Sequence, residues 1–210
     1  MGYSEELRDD FLSTLNHLIG VTNKLKDNSG HGQIFSFADS HKLAEGLLLK
    51  AWTHWEAFLR SLLIVDLATI AKGNLLKEVR QFRVKNAPWR LSELILNHPD
   101  HPDKFVEWSY QNVKNRADTH LPPGHRFSAP LPRAMELDQI KRMRNAIAHS
   151  SDKAWNSFRD LVKDPPFNLQ SNQMKGLTVG RFLMAHNWNA NIVLQDALSL
   201  LDANARHLVP

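Results

Sequence analysis

The chain is 210 residues long, 42 % hydrophobic and 23 % charged, and its 26 Lys and Arg against 22 Asp and Glu leave a formal charge of +4. A chain of this length buries about two thirds of its unfolded surface, and this composition excludes a disordered protein. Cysteine is absent, which excludes disulfides, iron–sulfur clusters, thiolate zinc sites and cysteine nucleophiles, while the mild basic excess permits a phosphate-bearing partner without demanding one.

Near the N-terminus, Glu5, Glu6, Asp9 and Asp10 stand where a signal peptide needs a basic patch and an apolar run. The longest apolar stretch, near Leu62 to Ala71, is broken by Asp66 and falls short of a membrane span. A soluble, cytoplasmic chain with no membrane partner is expected. Helical periodicity dominates, and alternating strand patterns are nearly missing. Ser4 to about Lys26 reads as a first helix, with Leu7, Phe11, Leu15, Leu18 and Ile19 recurring every three or four residues. A loop from Asp27 to Phe37 follows. Asp39 or Ser40 then caps a long helix ending near Gly73. Its apolar positions (Leu43, Leu47, Leu48, Ala51, Trp52, Trp55, Phe58, Leu59, Leu62, Leu63) suit a central core helix.

The middle third is less regular. Leu75 to Arg83 and Leu91 to Leu96 read as short helices around Pro88, and the repeat His98-Pro99-Asp100-His101-Pro102-Asp103 as turns leading into a helix through Trp108 and Val113. Leu121 to Pro132, rich in proline, reads as an extended loop in which His120 and His125 are solvated. Helix resumes from about Arg133 to His149 and from Lys153 to Val162, where Pro165 and Pro166 stop it. A last helix runs from Thr178 to about Ala205. The expected fold is one all-α domain over 1–210, an up-and-down bundle of four main helices with extra short helices and a long loop in an irregular insertion at about 75–132.

One segment carries chemistry. At about 100° per residue, Leu137, Ile140, Met143 and Ile147 share one face of the helix before His149, and Arg144 falls on that apolar side. A guanidinium there needs a carboxylate, a phosphate or an interface to satisfy its donors. The opposite face collects Asp138, Arg142, Asn145 and His149. Cleaving RNA without a metal needs a base for the 2′-hydroxyl, an acid for the leaving 5′-oxygen and a cation for the phosphorane. Histidine serves the proton steps near neutral pH for ~10²–10⁴-fold, and arginine presents a planar charged fork to phosphate oxygens. Asn145 suits either of two tasks, holding the imidazole's tautomer or donating to a phosphate oxygen. Arg144 and His149 lie about 140° apart on a straight helix, so they converge only if the helix ends near His149 or if two such helices face each other in a dimer.

Arg144-Asn145-Ala146-Ile147-Ala148-His149 resembles the Arg-x4-His signature of the HEPN superfamily, in the form with Asn directly after Arg. Trp52-Thr53-His54-Trp55-Glu56-Ala57-Phe58-Leu59 resembles the HEPN helix that carries an acidic residue before an apolar pair. The likeness covers the helices around 43–63, 137–149 and 178–201. It implies a HEPN-like four-helix bundle and a metal-independent endoribonuclease that dimerises to build a composite cleft, as a toxin, in antiphage defence or in RNA processing. By that resemblance Arg144 and His149 are catalytic, Asn145 is their polar partner, and Glu56 is an inward acid that pairs with Arg144 or contacts the site. The implied partners are RNA, a second copy of the chain, and an antitoxin or regulatory protein; no cofactor or metal is implied. Ser151 stands where one toxin form of the motif has Tyr, which speaks against the nucleotidyltransferase partner tied to that form. A non-catalytic HEPN module that binds RNA or a partner protein is the alternative, and the plainer structural reading pairs Arg144 with Glu56 in the core.

Other signals are weaker. His98 and His101 with Asp100 and Asp103 offer metal-binding side chains, but proline at each step favours a surface turn. Lys72, Lys77, Arg80, Arg83, Lys85 and Arg90 with Phe82 and Trp89 suit either phosphate contacts with base stacking or a solvated helix face.

Overall fold

A computed structural model describes residues 2–70, 108–149 and 151–210. The short helices expected at 75–83 and 91–96, the His-Pro-Asp repeat and the basic stretch from Lys72 to Arg90 lie outside the described residues. Among those described, the chain is all-helical: α1 (Tyr3–Asp27), α2 (Phe37–Ile70), α3 (Tyr110–His120), α4 (Ala134–Ala148), α5 (Asp152–Lys163), α6 (Val179–Ala185) and α7 (Val193–Leu208). None of these helices is long and apolar enough to cross a membrane.

Local chemistry sets most boundaries. Helix α2 starts two residues before the expected caps. Ser36 Oγ accepts the Asp39 N–H at 3.2 Å, and the Asp39 carboxylate accepts the Ser36 N–H at 3.3 Å in return. Two orphan donors of the first turn are thus satisfied reciprocally, with Asp39 as the second member of the pair rather than the cap. Helix α3 starts at Tyr110, beyond Trp108. Ser151 caps α5 by accepting from Ala154 N at 3.3 Å.

The single last helix expected from Thr178 to Ala205 is instead two. Thr178 caps α6, which stops at His186, and α7 starts only at Val193. Between them Asp196 accepts from Asn189 N at 2.9 Å and from Asn191 Nδ2 at 3.0 Å. The Asp196 carboxylate and the Asn191 side chain compete with the helix for these local bonds, and so break a run whose apolar spacing continues on either side.

Contacts gather the described residues into two compact units. Of the described residues, the first draws on 2–11, 55–70, 108–131 and 206–210. Its aromatic centre is Phe11 stacked on Phe58 at 5.0 Å, with Trp55 5.8 Å from each. Asp66, 2 % exposed, accepts from Arg126 Nε at 2.9 Å, and the same guanidinium donates to Leu208 O and Ser4 Oγ. The proline-rich loop is not solvated as expected. Leu121, His125, Phe127 and Leu131 turn inward and are buried, and His125 Nε2 meets Asp118 Oδ1 at 3.0 Å. Apolar residues at these intervals have only one place to go, and they carry His125 under with them.

Tyr110 ties this loop down. Its hydroxyl donates to Ala129 O at 2.8 Å and lies 3.3 Å from Phe127 O. Burial, and then the charge of Asp118, push the phenol from 10.0 up to about 12. An unfolded chain gives up this proton near pH 10 and the folded one holds it to about 12, so stability is lost as pH rises through that window. Denaturation midpoints at pH 9 and 11 are expected to fall less in Tyr110→Phe than in the parent; equal falls would show that the hydroxyl is not responsible.

The second unit draws on Leu12–His54 and Pro132–Ala205. Its core includes Leu15, Leu48, Ala51, Ile140, Met143, Phe158, Phe182, Leu194 and Leu198, all fully buried. Leu43, expected in the core stripe of α2, is 45 % exposed. Helix α6 lies against α2 at Gly180: a Cβ built there would stand 2.1 Å from His41 O, and Gly180 N donates to Glu45 Oε1 at 3.0 Å. Only glycine permits that approach. Gly180→Ala is expected to force α6 off α2 and cost about 3 kcal/mol, at the upper end for overpacking, because the clash is with backbone. Urea denaturation measures it, and an unchanged midpoint would mean that the two helices part freely.

Candidate active site

The site is built on α4. Arg133, in left-handed backbone at φ 56°, turns the chain out of the proline loop, and Leu137, Ile140 and Met143 are buried at 5 %, 0 % and 0 % exposure. Those three side chains fix the rotation of the helix and hence where the next residues point. Arg144, one step beyond Met143, is half-buried, and so are Asn145 and Ile147.

Asn145 links the motif. Its side-chain Oδ1 accepts from Arg144 Nη1 at 2.9 Å, and its backbone oxygen accepts the His149 N–H at 2.9 Å. The helix ends at Ala148, and His149 takes extended backbone (φ −120°, ψ 118°) with its side chain exposed. Of the two conditions under which Arg144 and His149 can act together, the first, a helix ending at His149, is met.

The platform is held from behind. Helix α4 packs on α5 and touches α6. Arg142 Nε donates to Ser157 Oγ at 3.1 Å and Nη2 to Ser157 O at 2.5 Å, fastening α4 to α5. Asp138 is exposed, and Glu56 lies half-buried on the part of α2 that belongs to the first unit, whereas Arg144, Asn145 and His149 belong to the second. No group of three or more His, Asp or Glu side chains among the described residues is placed to hold a metal ion.

The chain holds a second pair at the same spacing, Arg181 and His186 on α6, which the Arg-Asn form of the motif passes over because Phe182 follows the arginine. The signal that finds it is the bare Arg-x4-His interval. The second unit also has an open groove of about 630 Å³. Val21, Leu25, Ile34, Phe35, Leu43 and Leu47 line it, with Lys24 and Lys42 beside them. Ile34 is 78 % exposed there.

No family model matches this chain, and no curated protein or solved structure matches it either.

Proposed function

We propose that this chain is a HEPN-type, metal-independent endoribonuclease of the cytoplasm, acting as a homodimer through Arg144, Asn145 and His149. The observation that carries this reading is the linkage at Asn145, which holds the Arg144 guanidinium on one side and the turn bearing His149 on the other. Two of the groups that metal-free RNA cleavage requires, a permanent cation and an exposed imidazole, are carried by the last turn of α4 and the residue that follows it.

In this mechanism a 2′-oxygen attacks the adjacent phosphorus as His149 takes its proton. The bond from phosphorus to the 5′-oxygen breaks, and the His149 of the second protomer protonates that oxygen. The products are a 2′,3′-cyclic phosphate and a free 5′-hydroxyl. Arg144 holds the non-bridging oxygens, whose charge grows most in the transition state, so its contribution is larger there than in the bound ground state. With its oxygen already engaged by Arg144, the Asn145 carboxamide has its nitrogen to offer a phosphate oxygen, which of its two expected tasks favours the second.

The alternative is a non-catalytic HEPN module that binds RNA or a partner protein, and the groove beside α1 and α2 supports the partner-protein form of it. Its apolar floor and two lysines fit an acidic amphipathic segment of a regulatory protein. Incubating the purified chain with single-stranded and structured RNA separates the readings. Shortened RNA supports the nuclease, and RNA that stays intact, bound or not, supports the module.

A further inference from the structure

We infer that the groove lined by α1 and α2 docks an acidic amphipathic helix of another protein, with its apolar stripe on Leu25, Leu43 and Leu47 and its carboxylates on Lys24 and Lys42. The inference rests on reading this groove as a partner-protein site and is independent of whether RNA is cut.

Helical spacing builds the groove. On α2, Lys42 and Gly46 stand one turn apart, as do Leu43 and Leu47, so a single face of that helix lines it. On α1, Val21 and Leu25 repeat the interval, with Lys24 beside them. The loop between the helices adds Ile34 and Phe35. That loop is tied by its own backbone: Gly30 N donates to Phe35 O at 3.1 Å, and Phe35 N to Asn28 O at 3.0 Å. It holds Ile34 out at 78 % exposure, and Leu43 is 45 % exposed on the neighbouring helix. Single exposed apolar side chains are ordinary, but two on one apolar concavity mark a contact surface. Because the loop is already ordered, little freedom is lost when Ile34 is covered.

Gly46 says what shape covers it. It lies in the interior of α2, where alanine would favour the helix, and a Cβ built on it meets no atom within 4 Å. Packing among the described residues therefore does not call for glycine there. Without a side chain at this point, the backbone of a second helix can come close. The groove is also open along its length and holds about 630 Å³, which suits the side of a helix with anchors at i, i+3, i+4 and i+7.

Charge selects the kind of helix. Lys24 and Lys42 are both exposed and come from different helices. Lys42 bonds Glu45 at 2.9 Å, but its side chain is 79 % exposed; such a pair contributes little, and the ammonium has further donors. Two ammonium groups beside an apolar floor match carboxylates beside an apolar stripe, and they repel a basic helix. The acidic start of α1 in a second copy does not supply that stripe, because Phe11, Leu12 and Leu15 are already buried.

The test is an anisotropy titration of the chain into a dye-labelled helical peptide with leucine at i, i+3, i+4 and i+7, glutamate on both flanks and alanine elsewhere. A second peptide carries lysine for each glutamate and is expected to bind about tenfold more weakly. Gly46→Leu fills the groove and weakens the acidic peptide about tenfold. Its urea midpoint is no lower than the parent's, because leucine favours the helix and the Cβ meets open space. Lys24→Gln with Lys42→Gln weakens binding about tenfold at low salt and removes most of the salt dependence. Equal affinity for the two peptides, equal affinity of Gly46→Leu and the parent, or no binding by the parent would overturn the site. Uptake of a fluorescent fatty acid with the acidic peptide left free would overturn it in favour of a lipid ligand. The titration contains no RNA. A chain that binds the peptide and leaves RNA whole keeps the inference and loses the nuclease, and one that cuts RNA without binding the peptide does the reverse.

Discussion

Arg144→Ala and His149→Ala are each expected to lower single-turnover cleavage of RNA by ~10²–10³-fold, the loss typical when a preorganised charge donor or a general acid–base group is removed. The two variants fail for different reasons. Without Arg144 the phosphorane's charge has no fixed partner, and the carboxamide of Asn145 loses the donor that orients it. His149 is exposed at the end of α4 and its backbone N–H is unaffected by truncation, so His149→Ala folds like the parent and its loss is chemical. Arg144→Lys keeps the charge but not the fork, and is expected to recover only part of the rate. Rates equal to the parent's in either alanine variant would remove that residue from the mechanism.

Arg126→Ala is expected to cost about 3 kcal/mol of stability, the low end for breaking a buried ion pair, because the arginine side chain is 27 % exposed. The cost falls on Asp66, which is left without its 2.9 Å partner. Even with Arg126 present, burial outweighs the ion pair and raises the Asp66 carboxyl above the ordinary 3.8. The sign follows. The folded chain binds this proton more tightly than the unfolded one, so the associated stability is full below pH 3.8 and is lost as pH rises through the raised value. Removing Arg126 raises the carboxyl further and widens that window. Urea midpoints of Arg126→Ala at pH 4 and pH 7 are therefore expected to differ more than the parent's. Asp66→Asn in the same background is expected to abolish the extra difference. A variant as stable as the parent at pH 7 would show that Asp66 finds another partner.

Much of the helical framework was legible in periodicity, because Leu15, Ile140, Met143 and Phe158 sit at helical intervals and are fully buried. Boundaries depended on which of several polar residues wins a backbone donor. Ser36, Asp39 and Ser40 are all good caps, and only the reciprocal bonds of Ser36 and Asp39 decide among them. The gap between α6 and α7 was hidden because apolar spacing runs through it while the bonds of Asp196 to Asn189 N and Asn191 Nδ2 undo it locally. The burial of His125 was hidden because its partner Asp118 sits across a turn. Within the candidate site, the residue types and the end of α4 could be read, but the bond from Arg144 to the very next residue could not, since neighbours on a helix do not normally face each other. Nor could the hold of Ser157 on Arg142, or the close approach at Gly180 that brings α6 onto α2. Those depend on long-range packing.

The most direct test of the account is end-group analysis of RNA incubated in EDTA with the parent chain and the Arg144→Ala and His149→Ala variants. The parent is expected to give 2′,3′-cyclic phosphate and 5′-hydroxyl ends, undiminished by the chelator and nearly absent from both variants. Products with 3′-hydroxyl ends, cleavage that EDTA abolishes, or RNA left whole by the parent would contradict it.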